Sequence, residues 1–300
     1  MSGQIVLLVD AGNSAIKHCL VYCPAQTAIG VTDSRWQKGP IRRILNTEVS
    51  IASLVGIWRE EIEKFSLAPS AAIGMSWSCV GPVAIQEMIA AAYQELAKTA
   101  APAPELSRPY INLSGATCRY ENAYRDAAQL GADRWISGAG LAALGVMDAG
   151  ESHLVVSAGT ATTFDLLFKK DSTRIVFQGG WILPGIRLMH EGLRGATRQL
   201  DYSLSQALAD ARQIPRDSQS AIEQGLGLAQ TVLIRQLIEH HKITAIWLHG
   251  GDAQRWLSYA QAFIGADLRQ PIVERQDLAF LGLLALRSSN SVGPVDPVAV

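Results

Sequence analysis

Two short stretches of this chain, 147 residues apart, carry the same pattern of strand, small-residue turn and strand. The first is Leu7-Leu8-Val9-Asp10-Ala11-Gly12-Asn13-Ser14-Ala15, and the second is Leu154-Val155-Val156-Ser157-Ala158-Gly159-Thr160-Ala161-Thr162. Laid on each other, Val9 meets Val156, Asp10 meets Ser157, Ala11-Gly12 meets Ala158-Gly159 and Asn13 meets Thr160. A β-rich run enters each turn and a second strand-like segment leaves it, Ser14 to Tyr22 in one copy and Ala161 to Phe168 in the other. An offset close to half of 300 residues points to two related domains facing each other.

Elsewhere strand and helix patterns alternate, as in an α/β protein. Ile51, Leu54, Val55, Trp58, Ile62 and Phe65 recur at helical spacing, and Ala71 to Trp77 reads as a buried strand. Val83 to Lys98 is a second helix, broken by Ala100-Ala101-Pro102-Ala103-Pro104. Tyr110 to Leu113 reads as a short strand, Trp135 to Met147 as a small-residue helix and Ala221 to Lys242 as a long one. Ala245 to Leu248 is a strand ending at Gly250-Gly251-Asp252, followed by a helix around Trp256 to Phe263 and the apolar stretch Leu278 to Leu286. The tail from Ser288, with Gly293, Pro294 and Pro297, is expected to fray. The expected division is an N-terminal domain over residues 1–125 and a C-terminal domain over 126–300.

Charge narrows the function classes. Twenty-six Lys+Arg stand against 27 Asp+Glu, whereas a protein that neutralises nucleic-acid phosphates is expected to be more basic. The 48% hydrophobic content excludes a mainly disordered chain. Cys19, Cys23, Cys79 and Cys118 lack the CxxC spacing of a zinc site. The start runs straight into Ile5-Val6-Leu7-Leu8-Val9 without a basic leader segment, and no apolar run reaches 18 residues. These features predict a cytoplasmic protein with reduced thiols that binds neither nucleic acid nor membrane.

A Gly-containing turn between strands lets backbone N–H groups approach a phosphate unobstructed by a Cβ. Asn13, Ser14, Thr160 and Thr162 would add side-chain donors. Asp10 ends an apolar strand, where a carboxylate is poorly solvated unless something binds it, and a magnesium ion with its waters suits that position. Asp, Gly and Asn also favour plain hairpin turns, so each turn alone fits that reading equally. A second constellation is Asn122-Ala123-Tyr124 followed by Leu130-Gly131-Ala132-Asp133-Arg134-Trp135. Lying just before a helix, Asp133 fits an ordinary N-terminal cap, with Arg134 a surface charge. Alternatively Asp133 accepts a hydroxyl proton during phosphoryl transfer, while Arg134 and Tyr124 orient an anionic substrate. Gln178-Gly179-Gly180-Trp181-Ile182-Leu183-Pro184-Gly185 reads first as folding punctuation, and His240-His241 as solvated residues on a helix.

In this order the motifs resemble the type III pantothenate kinase family, within the acetate and sugar kinase/Hsc70/actin superfamily. The likeness runs from Asp10 to about Leu286: Asp10-Ala11-Gly12-Asn13-Ser14 with Lys17, Gly131 to Arg134, Ala158 to Thr162 with Asp165, Gly179-Gly180 to Pro184-Gly185, and Gly250-Gly251-Asp252. The resemblance implies two facing actin-like (ribonuclease H-like) domains with a nucleotide cleft between them. It implies ATP-dependent phosphorylation of pantothenate at its primary hydroxyl to 4'-phosphopantothenate, the first step toward coenzyme A. Asp10, Ala11, Gly12, Asn13, Ser14, Ala15, Ile16 and Lys17 match the first phosphate loop, with Asp10 holding Mg2+ through water, and Thr160 matches an ATP contact of the second. Asp133 matches the proton acceptor, and Tyr124, Gly131, Ala132, Asp133 and Arg134 match the pantothenate contacts. The family works as a homodimer, and the hydroxyl that reaches the pantothenate pocket from near the dimer interface falls on Ser218, where Thr is usual.

One departure bears on the cations. The family's second loop usually opens with an Asp that binds a monovalent cation, K+ or NH4+, and this chain has Ser157. Serine offers one neutral oxygen and no charge, so monovalent-cation activation is expected to be weak or absent. The same departure is the only sequence support for an alternative, a nucleotide-binding regulatory protein that kept the kinase fold and lost turnover.

Overall fold

The structure, a computed structural model, describes residues 3–24, 37–65, 73–113, 118–196, 202–204, 213–265 and 268–289. Most of the tail expected to fray therefore lies outside the described residues. Packing divides the chain into two compact units. One holds Met1–Val146, Thr173–Ile175 and Asp277–Val300, and the other holds Met147–Ser172 and Val176–Gln276.

The first unit is built on a sheet of β1 (Gly3–Ala11), β2 (Ala15–Pro24), β3 (Gln37–Lys38), β4 (Arg42–Leu45) and β5 (Ile73–Cys79). Its order is β3-β2-β1-β5, with β4 also paired to β2. β1 is central, antiparallel to β2 and parallel to β5, so its run Ile5 to Val9 is buried throughout and reads as continuously apolar. Ile5, Leu7 and Val9 share a core with Leu54, Val55 and Trp58 of α1 (Ile51–Lys64) and Ile85 and Ile89 of α2 (Val83–Ala97). A reciprocal Ser50–Ser53 capping box starts α1. The hairpin β6 (Tyr110–Leu113) and β7 (Cys118–Asn122) belongs to the same unit.

Helix α3 (Ala132–Leu144) also packs in the first unit, against α7 (Leu278–Ser289). Their backbones touch: a Cβ on Gly140 would collide with the Leu278 carbonyl, and one on Gly282 with the Ile136 carbonyl. The packing division thus falls at Val146–Met147 rather than at the expected 125–126, and the chain end returns to the first unit. α3 begins at Ala132, before the expected Trp135, which places Asp133 inside the first helical turn rather than ahead of it.

The second unit carries β8 (Ser152–Ala158), β9 (Ala161–Asp171), β10 (Arg174–Pro184) from Val176 onward, β11 (Ile243–His249) and β12 (Ile272–Glu274), in the order β12-β11-β8-β9-β10. Leu154, Val156, Phe164, Leu166, Ile246 and Leu248 point from one sheet face into a core with Ile234 and Leu237 of α5 (Ser218–His241) and Trp256 and Tyr259 of α6 (Ala253–Phe263). α4 (Ile186–Ala196) packs beside α5. Among the described residues no helix is long and apolar enough to cross a membrane.

Candidate active site

The first turn links β1 to β2. Asp10 stands one residue before its start, paired with Lys17 on β2 and Ser78 on β5, and the buried Ser78 hydroxyl donates to Asp10 Oδ1 at 3.2 Å. The Gly12 N–H closes the turn on the Ala15 carbonyl at 3.0 Å. Asn46, the residue after β4, holds the turn's carbonyls: its Nδ2 donates to Gly12 and Asn13, and its N–H to Ser14, each at 3.0 Å. No local sequence signal marks Asn46, because its partners lie more than thirty residues away and only the β2–β4 pairing brings it to the turn.

The constellation around Asp133 lies in the same unit. Tyr120 stacks on Trp135, ring centroids 4.2 Å apart, and its hydroxyl donates to the Trp135 carbonyl at 3.3 Å, fixing β7 against α3. At the end of β7, Asn122 Oδ1 accepts the Tyr124 N–H at 3.0 Å. Arg134 Nη1 then donates to the Tyr124 hydroxyl at 2.7 Å. Arg134 is buried rather than the surface charge of the plainer sequence reading. Gly131, at the N-cap, leaves room for Asp133: a Cβ there would sit 2.6 Å from Asp133 Oδ1. Burial raises the Asp133 carboxyl above its ordinary range, and the nearby Asp10 carboxylate raises it further, against the opposing Arg134 charge and backbone N–H groups. A carboxylate held high in this way is a better proton acceptor than an exposed one. One unit thus brings together Asp10, the turn from Ala11 to Lys17, Tyr124 and Gly131 to Arg134.

The second turn is braced differently. The Gly159 N–H closes it on Ala161, the Gly185 N–H donates to the Thr160 carbonyl at 2.9 Å, and the Asp252 N–H donates to Ala158 at 3.0 Å. A Cβ on Gly185 would collide with the Gly159 carbonyl, and one on Gly250, at φ +110°, with Ala158, so both turns that brace this loop require glycine. Exposed Arg187 on α4 ties the two braces together, its Nε donating to the buried Asp252 carboxylate at 2.7 Å. Thr160 is exposed at the turn's tip. Ser157 lies between Thr163 on β9 and His249 on β11, and Thr163 Oγ1 donates to Asp165 Oδ2 at 3.1 Å. Ser218 opens α5, exposed, beside the N-cap Asp217 that accepts from the Ser220 N–H at 2.8 Å. It is separate in sequence and element from the Thr160 turn.

The sequence profile of the type III pantothenate kinases matches residues 6–240. The chain belongs to that family. A type III pantothenate kinase from Aromatoleum aromaticum is 31% identical over 259 residues, covering 83% of this chain and 87% of its own. One from Azoarcus is 39% identical over 139 residues, 45% of this chain and 48% of its own. Among solved structures, component A of the (R)-2-hydroxyglutaryl-CoA dehydratase from Acidaminococcus fermentans overlays 96% of this chain and 98% of its own at a TM-score of 0.49 and 10% identity, too distant to carry an activity.

A magnesium ion bound with phosphates generally takes only one or two protein carboxylates, and Asp10, steadied by Ser78, is a carboxylate that would suit one. At the second turn Ser157 offers a neutral hydroxyl, and among the described residues no three His, Cys, Asp or Glu side chains gather as a metal cluster.

Proposed function

We propose that this chain transfers the γ-phosphoryl group of ATP to the primary hydroxyl of pantothenate, giving 4'-phosphopantothenate and ADP, and that Asp133 accepts the hydroxyl proton. The observation that carries the reading is the placement of Asp133 in the first turn of α3, its carboxyl raised by burial, beside the buried Arg134 that donates to the half-buried Tyr124 hydroxyl. Arg134 presents a guanidinium suited to the pantothenate carboxylate, and the Tyr124 hydroxyl fixes its orientation. As the substrate oxygen bonds to phosphorus and the bond to the ADP oxygen breaks, Asp133 takes the proton that the hydroxyl can no longer hold. The first turn, Ala11 to Lys17, holds the phosphates through its N–H groups, and Thr160 holds the nucleotide from the second turn. Magnesium, when bound through water at Asp10, neutralises phosphate charge.

The protein acts as a cytoplasmic homodimer in this reading. Support for the dimer comes from exposed apolar side chains gathered on adjoining elements of the second unit: Trp181 and Ile182 of β10, Leu188 and Leu193 of α4, and Leu228 and Val232 of α5. Ser218, at the exposed start of α5, is the hydroxyl offered toward the pantothenate pocket. K+ or NH4+ activates weakly, Ser157 supplying no charge.

ADP release, coupled to a spectrophotometric readout, tests the activity with ATP, magnesium and pantothenate. Pantothenate-dependent ADP formation with a product heavier by one phosphoryl group is expected. ATP binding without such turnover overturns the reading and favours a regulatory protein.

A further inference from the structure

We infer that Asn46 is the positioning residue of the first turn, aligning its amide groups for phosphate. This rests on the reading that the turn binds ATP. Leu45 pairs with Ala15, so the end of β4 delivers Asn46 to the turn. From there it donates to three successive carbonyls, Gly12 and Asn13 through Nδ2 and Ser14 through its N–H, each at 3.0 Å. In a trans peptide the N–H points opposite to the carbonyl of the same unit. With the carbonyls of Gly12 and Asn13 drawn toward Asn46 Nδ2, the N–H groups of Asn13 and Ser14 are directed to the other side, while the Ala15 N–H, on the strand between β4 and β1, turns toward β1. Successive N–H groups aimed together form an anion-binding concavity. The orientation of the side chain is forced, since reversing the amide would set oxygen against two carbonyls. Its Oδ1 is buried and accepts no hydrogen bond, so only the donor function of Asn46 is used.

Asn46→Ala, Asn46→Asp and Asn46→Ser separate this role from general support of the fold. Steady-state kinetics gives KM for each substrate, and calorimetry with a non-hydrolysable ATP analogue gives nucleotide Kd without turnover. Asn46→Ala is expected to raise KM and Kd for the nucleotide about tenfold while KM for pantothenate stays put. Asn46→Asp, nearly the same shape but facing two carbonyls with a carboxylate, is expected to do more, and Asn46→Ser, which keeps a donor, to recover part of the loss. Parental nucleotide affinity in the Ala and Asp variants overturns the inference. So does an equal rise in KM for both substrates accompanied by a lower Tm. If the unaltered protein releases no ADP, the activity assignment fails, and the calorimetric series still decides the role of Asn46.

Discussion

The turn after β1 and the turn after β8 align residue for residue, yet their outgoing strands are out of step. Asp10 pairs with Lys17, but Ser157 pairs with Thr163 rather than with Phe164, the residue that corresponds to Lys17. The second hairpin is tighter by one residue, and a slip of one exchanges the faces of every following side chain. Lys17 therefore shares a face with Asp10, whereas Phe164 turns with Val156 into the core of its unit. The bracing differs too. Asn46 holds the first turn by its side chain, and backbone N–H groups with glycine close approach hold the second. The first turn thus carries a carboxylate, Asp10, where the second carries the Ser157 hydroxyl.

If that contrast is right, Asp10→Asn lowers kcat/KM for ATP about a thousandfold, while Ser157→Ala changes it by less than about twofold. Equal losses would break the comparison. The next largest effect concerns stability of the backbone-braced turn. Gly250→Ala, at φ +110° and against Ala158, is expected to cost about 3 to 4 kcal/mol in denaturant titration. The neighbouring Gly251→Ala, with open space around it, is the control and should stay within about 0.5 kcal/mol.

A third effect belongs to the first unit. His18, on β2, is fully buried with neither ring nitrogen hydrogen-bonded, and burial, then the Arg42 charge, lower its pKa to about 4 from 6.5. Unfolding lets it take a proton anywhere below 6.5, so stability is full above that pH and declines as pH falls toward 4. The loss reaches up to about 3 kcal/mol. Urea titrations at several pH values should show it, and His18→Gln should flatten the decline; an unchanged slope in that variant would exclude His18 as the cause. The smallest effect is the response to potassium, expected to change the rate by less than about twofold, since Ser157 brings no carboxylate to the cation. A strict potassium requirement would sink that part of the account.

Periodicity and turn chemistry made much of this legible in the sequence. The two hairpins, α1, β5, α2, β6 and α5 all follow from local pattern, whereas the roles of Asp10 and Asp133 come only from the family resemblance. Features that depend on distant partners were not legible. Short β3, β4 and β12 exist through the strands they join, and α3 enters the first unit through the contact of Gly140 and Gly282 with carbonyls of the other helix. The one-residue slip is invisible because the two turn sequences align without a gap. Asn46 reaches the first turn only through the pairing of β4 with β2, and Arg134 shows its half-buried partner Tyr124 only when α3 and the segment after β7 meet.

The central claim is that Asp133, its carboxyl raised by burial and by Asp10, takes the proton from pantothenate. The most direct measurement is pantothenate-dependent ADP release by Asp133→Asn beside the unaltered protein across pH. The account predicts a loss of about a thousandfold in kcat with the fold intact. In the unaltered protein it also predicts a kcat/KM that rises with pH through a limb above the ordinary carboxylate range, because only the ionised form accepts a proton. Near-normal turnover by Asp133→Asn would contradict it.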